Sequence, residues 1–397
     1  MNEGNNPFLG QDRDGTGVAD FGAKVVSGKK TLLITCFFPP QIGGIENYFS
    51  NFCRASSPDQ VCVLAQSQDG ELEFDQQQPY HVYRTDFFKG KMRPRWLHLR
   101  KTIKEIIEQE KIDQIIFGHF HPFNVLGDYF RLPYFIFGHG TDIRQIKYSW
   151  WQKKVLKKVY AGCRQMVVNS DFLAKELEAL LGARDKVQVV YPGVDFEKWQ
   201  QPVEDLPAKK DFLDISDDDV IMLSVGRLVP EKNFAAIIRS MPLLLDAIPH
   251  LKYFIVGDGP EMDNLRAMVS QTALNYKVKF IGAVDNDEAS KALYYQLAHV
   301  FVTVSSQPEG FGVVYLEAQA CRTPVVASKF GGSAEAVVDQ ETGILVDPEN
   351  SNEMIQAIIK ITTDKELWEK LAGAGQDRVK KDFNWPTQMK KLKGILQ

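Results

Sequence analysis

The stretch SSQPEGFGVVYLEAQA, residues 305–320, places Glu309 and Glu317 on either side of a glycine-rich turn. A turn of this kind that leads into a helix presents backbone N–H groups and a partial positive charge, so phosphate is its natural ligand. Two carboxylates can instead serve one glycosidic bond, but that chemistry needs a separation of roughly 5 to 9.5 Å. Eight positions of helix rise amount to roughly 12 Å. The two glutamates are therefore expected to contact different parts of one elongated ligand.

The ligand that fits this spacing carries hydroxyl groups at both ends and phosphate between them. A carboxylate that accepts hydrogen bonds from two vicinal hydroxyls is a common way to hold a ribose, and the same chemistry suits a hexose. The N–H groups of Gly310, Phe311 and Gly312, with Val313 beside them, would bind the phosphate. The predicted order along the ligand is sugar, diphosphate, ribose.

Two cations in the segment SVGRLVPEKN fit the same ligand. Gly226 and Arg227 follow a predicted strand, and Lys232 stands where the next helix is predicted to open. A lysine at a helix N-terminus opposes the helix dipole, which indicates a compensating anion. Arg227 and Lys232 could neutralise the charge that develops on a departing nucleoside diphosphate. The alternative is two solvated cations on a surface loop.

Glycines follow two further predicted strands. Gly43 and Gly44, in FFPPQIGGIENY, would let the backbone approach a ligand at a helix start, although glycine pairs there are often ordinary turns. Gly257 and Gly259 begin a pattern like the dinucleotide fingerprint, but Met262 occupies the place of the third glycine. We therefore reject NAD binding and interpret this turn as one wall of a base pocket.

The segment FIGAVDNDE adds Ala283 and Val284 to the predicted donor-binding residues. It also contains Asp285-x-Asp287, which matches a metal-binding DxD pattern. This pair precedes a predicted helix, so we interpret it as helix capping. The five cysteines are scattered without a CxxC pair, which is typical of reduced cytosolic thiols. No metal site and no cofactor are predicted.

The composition limits the class of protein. With 397 residues, 44% of them hydrophobic, the chain is expected to form two globular domains. A net charge of −4 and a pI near 6.0 give no case for nucleic acid. No apolar run approaches the roughly 18 residues of a membrane span, and the N-terminus lacks a signal-peptide layout. We expect a cytoplasmic protein with a disordered leader over residues 1–28.

Short apolar runs alternate with helical patterns from Lys29 onward, which predicts an α/β protein with parallel sheets. The predicted strands are TLLITCFF, DQIIFGHF, PYFIFGHG, QMVVNS, VQVVYPG, VIMLSVGR, KYFIVGDG, KVKFIGAV, VFVTVSS and TPVVAS. The polar segment between 196 and 215 contains no predicted strand, and a domain boundary is expected there. The predicted domains cover 29–200 and 213–379. Each is expected to be doubly wound, and their carboxyl-end crevices to face an interdomain cleft.

One segment is strongly basic although the whole chain is acidic. Between Arg84 and Arg164 there are seventeen Lys and Arg against seven Asp and Glu, with aromatic residues interleaved. Trp151, Val155 and Val159 stand at helical spacing among lysines, as in a helix that lies on a membrane. This pattern favours peripheral docking on the inner, anionic face of the cell membrane. The alternative is a solvated basic face with its aromatics in the core.

Eight motifs occur in the order seen in one enzyme family: PPQIGGIENY, GHGTD, VNSDFLAKEL, YPGVD, GRLVPEKN, VGDGPE, EGFGVVYLE and FGGSAEAV. Together they resemble the retaining GT-B glycosyltransferases of family 4 over about residues 30–385. PPQIGGIENY and YPGVD are most similar to GDP-mannose-dependent mannosyltransferases that act on phosphatidylinositol mannosides. The C-terminal segment 380–397 resembles the family's final helix, which returns to the first domain.

The resemblance implies a role for each matching residue. Arg227 and Lys232 would bind the donor diphosphate, Glu309 the donor sugar and Glu317 the ribose. Other implied positions are Gly44 against the donor phosphates, His139 beside the reacting sugar, and Asp142 on the acceptor side. The family also implies a metal-independent, front-face reaction in which the leaving phosphate helps take the acceptor's proton.

The function expected from the sequence is therefore transfer of a hexose with retention of configuration. The expected donor is a GDP-, UDP- or ADP-sugar, of which GDP-mannose is preferred, and the expected acceptor is lipid-linked or a glycan. Two alternatives remain open on the same fold, namely a nucleotide-sugar 2-epimerase and a non-catalytic sugar-binding scaffold.

Overall fold

The computed structural model describes residues 28–41, 43–89, 94–284 and 288–397. The predicted leader up to residue 27 and the DxD pair at 285–287 lie outside these ranges. The described chain divides into two units. The first contains the residues up to Gly193 together with Trp385–Gln397, and the second contains Val194–Asn384.

The first unit contains a parallel sheet whose strand order is β3-β2-β1-β4-β5-β6-β7. Its strands are β1 Thr31–Thr35, β2 Val61–Gln66, β3 His81–Thr85, β4 Gln114–Phe117, β5 Tyr134–Gly138, β6 Gln165–Val168 and β7 Val187–Val189. Its helices are α1 Gly44–Arg54, α2 Glu71–Gln76, α3 Leu99–Glu110, α4 Leu126–Phe130, α5 Thr141–Ile146, α6 Trp150–Gly162, α7 Asp171–Leu181 and, from the end of the chain, α17 Trp385–Leu396. Every residue of β1 is buried, as expected for a strand that is covered by helices on both faces.

The second unit repeats this topology with the order β10-β9-β8-β11-β12-β13. Its strands are β8 Val220–Val225, β9 Leu251–Val256, β10 Val278–Gly282, β11 Val300–Thr303, β12 Val325–Ser328 and β13 Gly343–Val346. Its helices are α8 Phe196–Trp199, α9 Leu206–Phe212, α10 Phe234–Ala247, α11 Met262–Gln271, α12 Glu288–Leu297, α13 Val313–Ala320, α14 Ser333–Ala336, α15 Ser351–Thr363 and α16 Lys365–Asp382. Both strand orders are those of doubly wound folds, which confirms the predicted fold class.

The C-terminal helix α17 belongs to the first unit because its apolar face is buried there. Trp385, Met389, Leu392 and Leu396 join the core beside β1 and α1. Gly193 permits this packing, since a Cβ at that position would lie 2.8 Å from the Trp385 ring. The chain thus leaves the first unit at Gly193 and returns at Trp385.

The boundary segment differs from the sequence-based expectation. Residues between 196 and 212, which the sequence places at the end of the first domain and in a linker, form α8 and α9 of the second unit. Phe196 and Trp199 are buried, and the Gln296 side chain donates hydrogen bonds to the Trp199 and Gln201 carbonyls at 3.0 and 2.8 Å. The polar composition of this segment predicted a linker, whereas two buried aromatic side chains fix it to the second unit.

Helix α6 does not present the apolar stripe that the sequence predicts. Val159 is fully buried, and Val155 packs against the same core, so neither residue faces solvent. Trp151 is exposed, as are Tyr148 and Trp150 next to it. In the described parts of the chain, no helix has both the length and the apolar character needed to cross a membrane.

Candidate functional site

The candidate donor residues of the second unit converge where the strand order reverses. Strands β8 and β11 are hydrogen-bonded neighbours, although the chain passes through β9 and β10 between them. The loops that follow β8 and β11 therefore begin side by side at the same edge of the sheet. From there the chain continues toward β9 on one side and toward β12 on the other. Ligands of doubly wound sheets bind at this position.

Lys232 and Glu309 meet at this point. Lys232 Nζ lies 2.9 Å from Glu309 Oε2, and both side chains are largely buried. The two loops are also joined through the backbone, because the Ser306 N–H donates to the Glu231 carbonyl at 2.9 Å. The sequence suggests neither this ion pair nor the contact between the loops.

Lys232 does not open helix α10, contrary to the prediction from the sequence. Residues Pro230–Lys232 form a short 3-10 turn, and Asn233, in a left-handed conformation with φ of 59°, separates them from α10. Lys232 therefore precedes the helix and does not lie in its first turn. Its nearest compensating anion in the structure is the Glu309 carboxylate.

The Glu309 carboxylate is held by three neighbours. Its Oε1 accepts hydrogen bonds from the Ser305 hydroxyl and, at 3.4 Å, from the Tyr315 hydroxyl, while Lys232 engages Oε2. Burial by itself would raise the pKa of Glu309. The Lys232 charge and the hydrogen bonds from these neighbours outweigh burial and hold the pKa below its usual range. Glu309 is therefore an oriented carboxylate anion at neutral pH.

The turn around Glu309 is fixed by a second glycine pair, Gly331 and Gly332. The Gly332 N–H donates to the Glu309 carbonyl at 2.9 Å, and a Cβ on Gly332 would collide with the Gly310 carbonyl. Gly312, the N-cap residue of α13, has a φ of 92°. The Phe311 side chain is buried, so this residue offers only its main chain to a ligand. The FGGSAEAV motif thus shapes the EGFG turn.

The turns after β8, β9 and β10 are tied together by their backbones. The Gly226 N–H donates to the Val256 carbonyl at 2.9 Å, and the Gly257 N–H donates to the Gly282 carbonyl at 2.8 Å. Gly257 has a φ of 137°, and a side chain there would strike the Gly226 carbonyl. The glycines at 257 and 259 therefore have a structural role.

Arg227, Ala283 and Val284 lie on the outside of these turns. Arg227 is exposed, and its guanidinium has no ion-pair partner within the described ranges. Ala283 is exposed and Val284 half-buried, directly after β10. Their exposure leaves all three open to a ligand, but Arg227 is not in contact with the Lys232–Glu309 pair.

Glu317 lies one and a half turns into α13 and belongs to a separate cluster. The Tyr295 hydroxyl donates to Glu317 Oε2 at 2.7 Å, and Lys291 Nζ lies 3.5 Å from Oε1. Glu317 and Glu309 thus have different partners, as the prediction of separate contacts requires. Lys291 and Tyr295 could not be identified from the motif that contains Glu317, since they lie on a different helix, α12.

The first unit places His139 at the end of β5 in an aromatic environment. His139 Nε2 lies 2.9 Å from the Gly118 carbonyl, so Nε2 carries the proton and donates it, which leaves Nδ1 as the acceptor. The rings of Tyr48, Phe49 and Phe137 surround the imidazole. Burial lowers the pKa of His139, despite the opposing influences of Asp142 and the Gly118 carbonyl. His139 is therefore a neutral imidazole at pH 7.

Asp142 fixes the backbone around His139. Its Oδ1 accepts from the N–H groups of His139 at 3.1 Å and Ile143 at 2.9 Å, and its Oδ2 accepts from the Phe120 N–H at 2.9 Å. These bonds join the loops that follow β4 and β5. The carboxylate expected on the acceptor side thus has three backbone partners and acts as a positioning group.

We expect Asp142→Ala to loosen both loops, because three N–H groups lose a charged acceptor worth about 1.5–3 kcal/mol per bond. Hydrogen exchange of peptides covering 118–124 and 138–144, read by mass spectrometry, should accelerate by about 10-fold or more. Asp113→Ala is the matched control, since that exposed carboxylate accepts only the Lys30 N–H, at 2.7 Å. Equal exchange in the two variants would contradict the positioning role.

Gly43 and Gly44 open α1 at the end of the loop after β1. The helix begins at Gly44, which is exposed, and a Cβ there would meet no atom of the described chain within 4 Å. A Cβ on Gly43 would strike only the flexible Glu46 side chain. Glu46 is buried, and this burial raises the pKa of its carboxyl group. Nothing in the described packing requires glycine at position 44.

Two histidines after β4 were not singled out from the sequence. His119 and His121 follow that strand at the switch point of the first sheet, and His119 contacts Phe37 from the β1 loop with ring centroids 5.2 Å apart. Burial, with lesser contributions from His121 and His139, lowers the pKa of His119 to about 3. Burial lowers the pKa of His121 to about 4. The signal that could have identified them is the strand-end motif FGHFH, which parallels FGHG at the end of β5.

Family models match both units. Residues 42–198 match the model described as Glycosyltransferase Family 4, and residues 206–378 match that of glycosyl transferases group 1.

Two curated relatives span nearly the whole chain at low identity, and a third matches a part of it. A GDP-mannose-dependent monoacylated alpha-(1-6)-phosphatidylinositol monomannoside mannosyltransferase from Corynebacterium glutamicum is 26% identical over 94% of this chain and 98% of its own. A related enzyme from Mycobacterium tuberculosis is 25% identical over 93% and 98%. A D-inositol 3-phosphate glycosyltransferase from Kribbella flavida is 32% identical, over 58% of this chain and 55% of its own.

Solved structures share the fold. HepE from Anabaena in complex with UDP superposes with a TM-score of 0.80 at 20% identity, covering 92% of this chain and 99% of its own. WaaG, a glycosyltransferase of lipopolysaccharide biosynthesis, gives a TM-score of 0.71 at 14% identity over 92% and 99%. The two Rossmann-like units are those of the GT-B fold, as predicted. The chain therefore belongs to the glycosyltransferases that combine a Family 4 domain with a group 1 domain.

Proposed function

We propose that this protein transfers a hexose from a nucleotide sugar with retention of configuration, with GDP-mannose as the donor and a lipid-linked or glycan acceptor. The observation that carries the proposal is the Lys232–Glu309 ion pair at the switch point of the second sheet. At this position the Lys232 ammonium, which can bind phosphate, lies 2.9 Å from the Glu309 carboxylate, which can accept hydrogen bonds from sugar hydroxyls. The names of the full-length relatives support mannose and a phosphatidylinositol-based acceptor.

The donor would be held by residues of the second unit. Arg227 and Lys232 bind the diphosphate, the N–H groups of Gly310, Phe311, Gly312 and Val313 add neutral donors, and Glu309 accepts from the sugar hydroxyls. In the first unit, the exposed Gly44 would approach the phosphates, and neutral His139 would lie beside the reacting sugar. Ala283 and Val284 would face the base.

The reaction would proceed without a covalent intermediate on the protein. The bond from the anomeric carbon to the diphosphate breaks, and the acceptor hydroxyl oxygen bonds to the same face of that carbon. Its proton passes to the departing phosphate oxygen. Glu309 is already paired with Lys232, which favours a binding role over a nucleophilic one. Arg227 and Lys232 would supply the positive charge without a metal, so turnover should persist in a chelator.

A donor panel tests this proposal and its alternatives. The purified protein is incubated with GDP-, UDP- and ADP-sugars, with phosphatidylinositol mannosides or cell lipids and glycans, in the presence of EDTA. Mass spectrometry should detect a glycosylated acceptor and a free nucleoside diphosphate. An epimerised donor without transfer would support the 2-epimerase, and no turnover with any pair would support the scaffold. Either result contradicts the proposal.

We further propose that the first unit docks on an anionic membrane through an aromatic and basic patch around the start of α6. The names of the Corynebacterium glutamicum and Mycobacterium tuberculosis relatives give a phosphatidylinositol monomannoside, a lipid, as the acceptor. Tyr148 is 90% exposed and Trp150 is 71% exposed, and Lys154 lies 5.0 Å from the Trp150 ring. The patch comprises Tyr148, Trp150, Trp151, Lys154, Lys157 and Lys158, all exposed. Opposite them, Leu156 and Val159 anchor the helix in the core.

The patch predicts charge-dependent binding to vesicles. The wild-type protein should co-sediment with anionic but not neutral liposomes at low salt, because each lysine near the surface contributes about 1 kcal/mol. Trp150→Ala combined with Lys154→Ala should weaken this binding by about 10-fold or more. Tyr276→Ala, which removes an 87% exposed tyrosine from the second unit, is the control. Binding that ignores lipid charge, or equal loss in both variants, would contradict membrane docking.

A further inference from the structure

The second unit contains a cavity of about 560 Å³ at the sheet edge opposite the candidate donor site. Ile221 of β8 lines it, as does His299, the residue directly before β11. The donor-site loops follow the carboxyl ends of these same two strands, and β8, with six residues, spans roughly 20 Å. Cavities that bind small molecules typically have volumes of roughly 300–1,000 Å³. This cavity is therefore large enough for a small ligand and separate from the donor site.

Much of the cavity lining is apolar. The large apolar side chains that contribute to it are those of Leu206, Ile215, Ile221, Leu297, Ile361 and Trp368. The Trp368 indole N–H donates to the His299 carbonyl at 2.7 Å, which fixes the ring in its place. This apolar wall suits the hydrocarbon or aromatic body of an organic molecule.

The cavity is also lined by hydrogen-bond donors that the fold leaves available. His299 Nδ1 accepts from the Ile221 N–H at 3.0 Å, so the proton of the neutral ring is on Nε2, which has no partner among the described residues. Burial, with a lesser contribution from Lys210, lowers the pKa of His299, which keeps the ring neutral at pH 7. The exposed Lys365 ammonium likewise has no hydrogen-bond or ion-pair partner in the described chain. Both residues line the cavity.

The carboxylates that line the cavity already have cationic partners. Asp219 Oδ2 lies 3.0 Å from Lys252 Nζ, and Glu369 Oε2 lies 2.6 Å from the Arg322 guanidinium. The third carboxylate, that of Asp217, lies 3.1 Å from a lysine of the cavity lining. Among the described residues of the lining, the unpaired charge is therefore the Lys365 ammonium, which favours an anionic ligand.

We propose that this cavity binds a small organic anion, in which a phosphate monoester or a carboxylate is carried on an apolar or aromatic body. The Lys365 ammonium and the His299 Nε2–H donate to the anionic group, and the body packs against Trp368 and the rest of the apolar wall. This site goes beyond the proposed transfer reaction, because none of its residues belongs to the donor-binding set. Its ligand therefore binds alongside a nucleotide and does not compete with it.

The experiment is titration of the full-length protein with phenyl phosphate and with benzoate, read by ligand-observed NMR spectroscopy, with and without saturating GDP. Benzyl alcohol offers a similar ring without the charge, and inorganic phosphate offers the charge without the ring. We expect a Kd on the order of 1 mM for at least one of the two aromatic anions, as is typical of ligands of this size. Benzyl alcohol and inorganic phosphate should each bind about 10-fold more weakly or worse.

Two variants test whether the anion binds in this cavity. Lys365→Glu reverses the unpaired charge and should weaken binding of the aromatic anion by about 10-fold or more. Thr363→Trp, at an exposed residue of the lining, should also weaken binding, because the larger side chain occupies part of the volume. The matched control is Lys381→Glu, the same charge change at an exposed lysine near the other end of α16, roughly 24 Å along the helix. At that distance screening is strong, so the affinity should change by less than about 2-fold.

Each contrary outcome has a distinct meaning. Equal affinities for phenyl phosphate and benzyl alcohol, or equal losses in Lys365→Glu and Lys381→Glu, would contradict an anion site in this cavity. Displacement of the aromatic anion by GDP would place it in the donor site, which overturns this inference and supports nucleotide binding. If neither aromatic anion binds, this inference fails and the proposed transfer reaction is untouched. Should Thr363→Trp not fold, Lys365→Glu changes only an exposed side chain and still gives the comparison.

Discussion

Lys232→Ala is expected to lower turnover by about 100-fold or more, the loss typical when one preorganised group that stabilises developing negative charge is removed. The Lys232 ammonium, which is largely buried, lies at the switch point of the second sheet, 2.9 Å from Glu309. Its removal takes away the cation proposed for the leaving diphosphate and leaves a buried carboxylate without a counter-charge. The measurement is kcat with GDP-mannose at saturation.

The matched control is Lys329→Ala. Lys329 also lies 2.9 Å from a carboxylate, that of Asp347, but this pair is on the surface of the same unit. Surface pairs contribute little, so turnover should change by less than about 2-fold. Comparable losses in the two variants would mean that the effect of Lys232→Ala reflects general destabilisation.

The pH profile of Lys232→Ala gives an independent check. In the wild-type protein, Lys232 helps to hold the pKa of Glu309 below its usual range against the opposing effect of burial. Without Lys232, only the hydrogen bonds from Ser305 and Tyr315 oppose the effect of burial, so the pKa of Glu309 rises. If the ionised carboxylate is needed, activity is lost as pH falls through this pKa, so the acid limb of kcat/KM should move to higher pH. If the acid limb of kcat/KM did not move, the ionised Glu309 carboxylate would not be required for catalysis.

Glu309→Gln is expected to lower turnover on the order of 100-fold while changing GDP affinity by less than about 3-fold. The amide keeps the size of the side chain, but it places an NH₂ group or a neutral oxygen against Lys232 and loses the charge. The proposed contact is with the sugar and not with the nucleoside diphosphate, so binding of GDP alone should be nearly unaffected. Titration with GDP and initial-rate assays of the same preparation provide the two readouts.

Glu317→Ala should have the opposite effect, with a large loss of GDP affinity and a smaller loss of turnover. The proposed ribose contact would be made in both the ground state and the transition state, so its loss should weaken nucleotide binding more than it lowers kcat. The separate partners of the two glutamates, Lys232 for Glu309 and Lys291 with Tyr295 for Glu317, support this division. If both variants showed the same pattern, the assignment of sugar and ribose contacts would be wrong.

The sequence predicted the architecture well because buried parallel strands have a strong local signature. Ten strands lie where short β-branched runs were identified, whereas β2, β3 and β13 were missed. His81–Thr85 is an edge strand without a fully buried residue, so its pattern carries no apolar run. Gly343–Val346 has only four residues and begins with glycine, which is disfavoured in strands.

The candidate site was predictable in its residue types but not in its contacts. Motif spacing identified Lys232 and Glu309 separately, yet their ion pair depends on the pairing of β8 with β11, which no local pattern encodes. The same holds for Asp142, whose partner Phe120 follows a different strand. Lys291 follows no motif, and only the tertiary fold brings this residue of α12 to Glu317 of α13.

The most direct test of the central claim is the configuration of the bond that the protein forms. GDP-mannose carries its mannose in the α configuration, and a front-face transfer at the Lys232–Glu309 site must preserve it. NMR spectroscopy of the purified product, made with ¹³C-labelled GDP-mannose and a phosphatidylinositol mannoside acceptor, reads the anomeric configuration. We predict a new α-mannosidic linkage that Glu309→Gln forms on the order of 100-fold more slowly. A β linkage, or an α linkage formed equally fast by Glu309→Gln, would contradict the account.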